Sequence, residues 1–327
     1  MKTALTLAAA AFVWPGPDAL AATEPTIDEW EVPYPGSRPR DPYVAPDGAV
    51  WFCGQAGGYI GRFDPASGEF TKYDLDDGAG PHNLIVDDDG LVWFAANTHP
   101  YIGRLDPASG EVTRFDLPDP GVRDAHTMVF DGAGNIWFTT QRGNHVGRLN
   151  MSTGEIDLVS SPEPNSRPYG IKVADDGRPW VALFGSHYLA TVDPASLEID
   201  LVELPRFEAR PRRLEITGDG AVWYADYAGG RLGRYDPAAG EFEEWQLPGG
   251  ESARPYGTAL DDAGVIWIAE GGVPNRLVSF DTASESFTSV TGIPSARGSV
   301  RHMYFDGETR EIWFGEDTNF LGRARLQ

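Results

Sequence analysis

The chain has 327 residues, of which 23% are charged, 41% hydrophobic and 12% aromatic, and its formal net charge at pH 7 is −23. This composition is typical of a folded globular protein and excludes a disordered chain. The negative charge argues against nucleic acid and anionic membrane surfaces as partners, because both are bound through a basic face.

The N-terminal segment has the three parts of a secretory signal peptide. Lys2 is followed by an apolar run from Ala4 to Val13 and then by the small-residue pattern Ala19-Leu20-Ala21. We therefore expect residues 1–21 to be removed and the mature protein to be exported, either to a periplasm or out of the cell. No other stretch approaches the length of a membrane span.

A twelve-residue segment occurs twice early in the chain, as YIGRFDPASGEF at 59–70 and as YIGRLDPASGEV at 101–112. Related segments recur along the whole chain, each preceded by a tryptophan that follows a turn such as DDDGLVW. The tryptophans are 42 to 46 residues apart and are Trp51, Trp93, Trp137, Trp180, Trp223, Trp267 and Trp313. A period of about 40–50 residues without helical periodicity indicates four short strands per unit, with the Asp-Gly and Ser-Gly pairs at tight turns.

Seven such units predict an all-β fold, a seven-bladed β-propeller over residues 27–327. A single four-stranded sheet cannot bury both of its faces, whereas sheets stacked radially can, and the tryptophan supplies a large apolar side chain at each contact. The last unit ends at LGRARLQ without an outer strand, while IDEWEVP at 27–33 precedes the first unit and matches FEEWQLP at 242–248. We therefore expect the N-terminal strand to complete the last blade and close the ring.

Two positions differ between the units in residue type, and positions of this kind are candidates for function because the shared ones build the scaffold. The first variable position lies eleven residues before the tryptophan and holds Arg40, His82, His126, Tyr169, Arg212 and Tyr256 in units one to six. In unit seven the turn DGETREIW is one residue longer, so this position falls on Arg301 if the aspartate is aligned and on His302 by plain counting. The second variable position lies three residues after the tryptophan and holds Gly54, Ala96, Thr140, Leu183, Asp226, Glu270 and Glu316.

Both variable positions should lie near the propeller axis, so their side chains are expected to converge at one end of the central channel. Further arginines stand two residues before the first variable position, and the full set around this opening is Arg38, Arg40, Arg167, Arg210, Arg212, Arg213, Arg254 and Arg301. The planar guanidinium group matches carboxylate or phosphate, so the arginines predict an anionic ligand. The alternative is that they pair internally with Asp226, Glu270 and Glu316 and close the channel. His82 and His126 either bind substrate or serve as hydrogen-bonded spacers between blades.

The repeat P-H/Y-x-I/L-x-V-D-x-D-G-x-V-W-F … I-G-R-L-D-P-x-S/T-G-E resembles that of the virginiamycin B lyase (streptogramin B lyase) family of seven-bladed propellers, from Ile27 to Gln327. The resemblance implies an enzyme that opens the lactone ring of type B streptogramins by elimination at the ester C–O bond. In such a reaction a base removes the proton α to a carbonyl while a magnesium ion polarises that carbonyl and stabilises the developing enolate.

The resemblance also implies site residues. The family uses two histidines at the first variable position of consecutive blades, one glutamate two residues before the second histidine and another fourteen residues after it. Aligned from the C-terminus, His302 and Glu316 match, Tyr256 replaces the first histidine, and Val300 or Ser299 replaces the earlier glutamate. We predict His302 as general base and Tyr256 as proton donor or oxyanion stabiliser. Glu316 and Glu270 are the predicted Mg²⁺ ligands, and the predicted substrate-binding residues are Arg254, Arg301, Arg212, Arg40, His82 and His126.

Two other functions fit the same sequence. A non-catalytic propeller would bind an anionic small molecule or a protein partner through its arginines and would need no metal. A metal-dependent lactonase would have a similar fold of six blades, so the number of blades separates it from the other two. We expect a monomer, with a small-molecule substrate or an anionic ligand as its partner.

Overall fold

The repeats fold into seven four-stranded antiparallel sheets in a computed structural model, which describes residues 24–75, 78–295 and 297–327. The predicted signal peptide, residues 1–21, lies outside the described residues, so cleavage and export remain predictions. Within the described ranges the helical structure is a single 3₁₀ turn, Gly250–Ser252, and no helix there is long and apolar enough to cross a membrane.

The strands of each blade follow one another outward from the channel. The first strand of the described chain is β1 (Thr26–Glu31). Blade 1 consists of β2 (Pro39–Val44), β3 (Val50–Gly54), β4 (Tyr59–Asp64) and β5 (Glu69–Asp74), and blade 2 of β6 (Pro81–Val86), β7 (Val92–Ala96), β8 (Tyr101–Leu105) and β9 (Val112–Asp116). Blade 3 consists of β10 (Ala125–Phe130), β11 (Asn135–Thr140), β12 (His145–Asn150) and β13 (Ile156–Ser160), and blade 4 of β14 (Pro168–Val173), β15 (Pro179–Leu183), β16 (Tyr188–Val192) and β17 (Ile199–Glu203).

The remaining three blades have the same order. Blade 5 consists of β18 (Pro211–Ile216), β19 (Val222–Asp226), β20 (Arg231–Asp236) and β21 (Glu241–Gln246). Blade 6 consists of β22 (Pro255–Leu260), β23 (Val265–Glu270), β24 (Arg276–Asp281) and β25 (Ser286–Gly292). Blade 7 consists of β26 (Val300–Asp306), β27 (Glu311–Glu316) and β28 (Phe320–Arg325), with β1 as its outermost strand.

The two ends of the chain close the ring within blade 7. Strand β1 pairs antiparallel with β28, from Thr26 opposite Arg325 to Glu31 opposite Phe320. Trp30 of β1 stacks on Trp313 of β27, with ring centroids 5.6 Å apart. The predicted all-β seven-bladed propeller, closed by its N-terminal strand, is therefore confirmed. The seven blades also exclude the six-bladed fold expected for the lactonase.

The apolar core lies between neighbouring blades. All seven repeat tryptophans are at most 7% exposed. Trp51 of blade 1, for example, belongs to the same apolar cluster as Leu84 and Phe94 of blade 2. Cys53, on strand β3, lies in this cluster and is fully buried.

A glycine–aromatic pair explains the Gly-Arg motif of the repeat. In blade 1, Phe52 lies opposite Gly61, and a Cβ added at Gly61 would be 2.2 Å from the Phe52 ring. The corresponding pairs are Phe94–Gly103, Phe138–Gly147, Tyr224–Gly233 and Phe314–Gly322. In blades 4 and 6 the aromatic residue is replaced by Val181 or Ile268, and its partner is Ala190 or Val278. The glycine is therefore needed only where an aromatic ring occupies the space of its side chain.

Candidate functional site

A bulge at the start of each inner strand sets which side chains face the upper end of the channel. In blade 6, Pro255 lies opposite Glu270 and a register shift follows, and in blade 7 Val300 lies opposite Glu316 before the same shift. The next residue of each inner strand is the first variable position, and we call this set the upper ring: Arg40, His82, His126, Tyr169, Arg212, Tyr256 and Arg301. The residues one step further form the middle ring: Asp41, Asn83, Thr127, Gly170, Arg213, Gly257 and His302.

The register of blade 7 selects Arg301, and not His302, for the first variable position. Both inner strands keep the same pairing up to the residue opposite the tryptophan, Ala259 in blade 6 and Tyr304 in blade 7. The extra residue of unit seven therefore lies in the turn between Asp306 and Glu311, and counting back from the tryptophan overshoots by one. His302 therefore does not occupy the first variable position, where the resemblance places the family's histidine, and its role as general base stays a prediction.

Aromatic side chains of the upper ring contact one another along one side of the channel. The rings of His82 and His126 have centroids 3.7 Å apart, and those of His126 and Tyr169 are 3.9 Å apart. The hydroxyl groups of Tyr169 and Tyr256 are hydrogen-bonded to each other. The structure therefore brings together His82, His126 and Tyr256, which the sequence predicted as site residues.

Both upper-ring histidines also make the hydrogen bonds expected of spacers. His82 Nδ1 lies 3.2 Å from the carbonyl oxygen of His126, and His126 Nδ1 lies 2.9 Å from the Thr127 hydroxyl. Burial, and then the positive charge of Arg40 and Arg213, hold the pKa of both imidazoles well below its usual value. At neutral pH these rings are neutral.

Arginines surround the Tyr256 phenol. Arg301 Nη1 donates to the Tyr256 hydroxyl at 3.1 Å, and the guanidinium carbon of Arg212 lies 3.4 Å from the centre of the Tyr256 ring. Arg212 Nη2 also donates to the Tyr169 hydroxyl at 3.2 Å. Burial opposes ionisation of Tyr256, but the charges of Arg212, Arg40, Arg301 and Arg213 outweigh it and lower the pKa of the phenol to about 7.

Two of these arginines keep buried N–H groups without a partner. Arg40 is 2% exposed and donates through Nε to Asp41 at 3.1 Å and through Nη1 to Gln55 at 2.9 Å, but its Nη2 has no acceptor. Arg212 Nε is likewise buried without an acceptor. A buried donor without a partner is costly, so these atoms are available to bind an anion.

The middle ring lies below the upper ring in the channel. Arg213 crosses it, donating to the Thr127 hydroxyl at 3.0 Å, to the Asp41 carboxylate at 3.4 Å and to the carbonyl oxygen of Arg301 at 3.3 Å. Asp41 is fully buried and also accepts from Arg40 and, at 3.0 Å, from Asn83. Burial raises the pKa of Asp41, but the charges of Arg40 and Arg213 lower it overall, so the carboxylate stays ionised.

His302 lies in this middle ring beside Arg213 and Asp41. Burial, and then the charge of Arg213, lower the pKa of its imidazole to about 3, although the Asp41 carboxylate acts in the opposite direction. Its Nδ1 is buried and has no hydrogen-bond partner. The side chain is therefore a neutral imidazole inside the channel.

The carboxylates of the second variable position bind other partners. Asp226 accepts from Arg206, Glu270 accepts from Arg276 Nε at 2.8 Å, and Glu316 accepts from Ser295. None of these donors is an upper-ring arginine, so the partners named in the alternative are not the observed ones, but internal pairing of arginines does occur. Asp317 accepts hydrogen bonds from Arg301 at 2.9 Å and from Arg38 at 3.2 Å. Asp41 accepts hydrogen bonds from Arg40 and Arg213. Sequence reasoning did not single out Asp41 or Asp317.

Glu316 and Glu29 form an acidic pair in blade 7. The equivalent acidic pair of blade 5 is bound by an arginine, and blade 7 has no arginine at that position. In blade 5 Asp226 and Glu244 share Arg206. The corresponding residues of blade 7 are Glu316, Glu29 and Ser295, so a serine stands where blade 5 has the arginine. Burial, and then the hydrogen bond with Glu29, raise the pKa of Glu316 to about 8, and its Oε1 has no partner.

The predicted magnesium ligands do not form a site that fits the ion. Mg²⁺ needs several oxygen ligands in octahedral geometry. The Glu316 carboxyl group faces Glu29 and Ser295, whereas the Glu270 carboxylate is bound to Arg276 and to the Gly249 N–H at 2.8 Å. Across the residues that the structure describes, no three His, Cys, Asp or Glu side chains lie close enough to hold a metal. The arrangement of these two carboxyl groups therefore does not fit Mg²⁺, and magnesium binding stays a prediction.

Exposed arginines stand at the rim of the upper ring, two residues before the first variable position. Arg38, Arg167 and Arg254 have φ values of 54°, 54° and 45°, in the left-handed region that non-glycine residues rarely adopt. Gly80, the counterpart in blade 2, has a φ of 52°, so the backbone has the same shape there. Arg254, predicted to bind substrate, is therefore a rim residue and not part of the buried set.

Comparisons with known proteins agree with this architecture. Residues 19–192 match the model of the virginiamycin B lyase family. The selenomethionine-substituted virginiamycin B lyase from Staphylococcus aureus is 25% identical, with a TM-score of 0.83 over 93% of this chain and 100% of the other. A catalytically inactive histidine-to-alanine variant of the S. aureus lyase, solved with quinupristin, is 25% identical with a TM-score of 0.84 over the same shares.

A third solved structure shares the fold alone. YCF48 bound to a D1 peptide is 12% identical, with a TM-score of 0.73 over 92% of this chain and 95% of the other. No curated protein sequence matches the chain.

Proposed function

Since the chain belongs to the virginiamycin B lyase family, we propose that its function resides at the upper end of the propeller channel, where it binds a small molecule carrying a carboxylate or another oxyanion. The observation that carries this proposal is the contact of Arg212 and Arg301 with one phenol, close enough to Arg40 for its charge to act on it, with buried N–H groups of Arg40 and Arg212 left unpaired. Charged donors held in a buried place bind oxyanions more strongly than they would in water.

The residue types at the family's histidine positions support binding over the family's elimination. The resemblance places those histidines at the first variable position of blades 6 and 7, which holds Tyr256 and Arg301 in this chain, so a cation would stand in place of one of the two imidazoles. The positive charge of the site also exceeds its negative charge, because four guanidinium groups, those of Arg40, Arg212, Arg213 and Arg301, face the two carboxylates of Asp41 and Asp317. An anionic ligand would balance this excess.

Calorimetric titration with small carboxylates and with sulfate tests the proposal. We expect Arg301→Gln and Arg212→Gln to weaken binding about tenfold or more, because a hydrogen bond to a charged group contributes roughly 1.5–3 kcal/mol. The matched control is Arg178→Gln, since Arg178 lies in the turn between β14 and β15, outside the predicted arginine set, and donates to Asp193 at 2.6 Å. Absence of binding, or equal affinity in Arg301→Gln and Arg178→Gln, would overturn the proposal.

A second candidate function is a carbon–oxygen lyase that opens a cyclic ester by elimination. The observation that favours it is the Tyr256 phenol, whose pKa of about 7 suits a general base and which lies beside the guanidinium groups of Arg301 and Arg212. In this reaction the phenolate takes the proton α to a carbonyl, the arginines stabilise the enolate, and the C–O bond breaks to leave an alkene and a free carboxylate.

Incubation with a type B streptogramin, with magnesium and with EDTA, tests the lyase. The product is followed by chromatographic shift, because eliminative ring opening leaves the mass unchanged. Conversion by the unaltered protein that is lost in Tyr256→Phe would support the lyase. No conversion by the folded protein under either condition would overturn it and leave the binding function in place.

A further inference from the structure

The hydrogen bonds of the Tyr169–Tyr256 pair leave one phenolic proton without an acceptor. The two hydroxyl groups are bonded to each other. Their other partners are donors, Arg212 Nη2 at 3.2 Å from the Tyr169 hydroxyl and Arg301 Nη1 at 3.1 Å from the Tyr256 hydroxyl. Two hydroxyl protons are therefore present, but the single O···O contact between the hydroxyl groups can hold only one of them. Both side chains are at most 4% exposed, so solvent offers little alternative acceptor. Loss of one proton satisfies all the donors.

Tyr256 is the member of the pair whose ionised form is better stabilised. It receives a hydrogen bond from Arg301, and the Arg212 guanidinium lies 3.4 Å from its ring centre, compared with 4.9 Å from the Tyr169 ring. Burial and the neighbouring Tyr256 raise the pKa of Tyr169 to about 12, which keeps Tyr169 as the donor of the shared hydrogen bond.

The charged groups that face the pair come from several inner strands. Strand β18 contributes Arg212 and Arg213, β2 contributes Arg40, and β26 contributes Arg301. Of the carboxylates, Asp317 binds Arg301 and Asp41 binds Arg40 and Arg213. Within the described chain no carboxylate is hydrogen-bonded to Arg212, whose guanidinium instead contacts the Tyr169 hydroxyl and the Tyr256 ring.

We infer that Tyr256 is a phenolate in the free protein, and that an oxyanion bound by Arg212 and Arg301 replaces it as their counter-ion, so that binding is coupled to the uptake of one proton by the Tyr256 oxygen. This inference rests on the proposed binding function. The site would then be an anion-binding site linked to a proton. In the free protein the Tyr256 phenolate would be the counter-ion that the bound anion later replaces. The proton comes from solvent and no bond other than O–H is formed.

The coupling gives the site a defined pH dependence. Below the pKa of Tyr256 the phenol is already protonated and an anion binds without proton uptake. Above that pKa each binding event must also protonate the phenolate, so affinity falls about tenfold for each further pH unit. Tyr256→Phe removes the competing anion and should bind with an affinity that no longer depends on pH in this range.

The test is a near-ultraviolet titration of tyrosinate absorbance in the intact protein, with sulfate as the probe. Sulfate is suitable because it stays dianionic and neither takes up nor releases protons near neutral pH. We expect one tyrosinate band to titrate near pH 7, to be absent in Tyr256→Phe and to remain in Tyr43→Phe. Tyr43 is the matched control, because it is a phenol on inner strand β2 whose pKa burial raises. Saturating sulfate should abolish the band with uptake of up to one proton per site.

A second variant keeps the test decisive if Tyr256→Phe fails to fold. Arg301→Gln removes the donor to the phenol and should move the band to higher pH by about one to three units. Absence of a near-neutral band in the unaltered protein would overturn the ionised Tyr256. A band that bound sulfate leaves unchanged would overturn the coupling and spare the binding function. A band with no sulfate binding would overturn the binding function, and the coupling with it.

Discussion

Three histidines in the channel show how strongly single side chains there depend on their neighbours. His82, His126 and His302 all have pKa values lowered by burial, and the charges of Arg40 and Arg213 lower them further. Each imidazole is therefore neutral in the folded protein and gains a proton only after unfolding or at low pH. The same arginines thus keep the histidines neutral and Tyr256 acidic.

The buried histidines predict acid destabilisation that begins unusually high on the pH scale. Their folded pKa values lie below the ordinary value of 6.5, so the unfolded chain binds protons first. Stability present above pH 6.5 is therefore lost as the pH falls toward the folded values, with a slope of up to about 1.4 kcal/mol per pH unit for each histidine. Urea unfolding at a series of pH values measures this slope, which His126→Gln should reduce and His82→Gln with His126→Gln should reduce further. Identical slopes in all three proteins would contradict the prediction.

Residue types in the upper ring were predictable from sequence, but their partners were not. Counting from the tryptophan located Tyr256 and His126, because the inner strands share one register. It failed at His302, since an added residue in a turn and one in a strand give the same spacing. The link between Arg213 and Asp41 joins positions 172 residues apart, and spacing within a repeat carries no information on such contacts.

In five of the seven blades, a glycine–aromatic pair joins the second and third strands. The ring of the residue after the tryptophan covers the glycine of the next strand, so the two residues form one packing unit. The pair is visible in the sequence as an aromatic residue eight or nine positions before Gly-Arg. Blades 4 and 6 lack both the aromatic residue and the glycine, which indicates that the ring is the reason for the glycine. A repeat therefore tolerates change at these positions only in combination.

Substitution in blade 2 tests this packing unit. A Cβ at Gly103 would be 2.1 Å from the Phe94 ring, so Gly103→Ala should destabilise the protein by about 1–3 kcal/mol or more. Adding Phe94→Val, which reproduces the pairing of Val181 with Ala190 in blade 4, should recover part of that loss. Thermal or urea unfolding of the single and double variants measures the coupling. Additive effects would show that the ring and the glycine are independent.

Across the whole molecule, the stability of the ring depends on its closure. Blade 7 takes three strands from the C-terminal end of the chain and one from the N-terminal end, so the first and last described strands hold each other. The complete architecture was predictable from sequence because the units repeat and the two incomplete ends complement each other. The side-chain contacts between blades across the channel could not be predicted, because they depend on the bulges of all seven inner strands together.

Removal of residues 1–33 tests the closure. Without β1 the edge of β28 is unpaired and the Trp313 ring loses its stacking on Trp30. We expect a lower unfolding temperature and self-association through the exposed edge, measured by thermal unfolding and size-exclusion chromatography. The matched control is removal of residues 1–21, which leaves β1 in place and should leave both measurements unchanged. Equal behaviour of the two truncated proteins would contradict the role of β1.

Arg213 spans the channel between Thr127 and Asp41, and this affects how a ligand can enter and leave the channel. A ring-shaped protein with an open bore would let a molecule enter at one mouth and leave at the other. With the Arg213 side chain across the channel, we expect a ligand of the proposed upper-ring site to enter and leave from the same end. Two anions that bind there would then compete, and the one that dissociates more slowly would limit the rate of exchange.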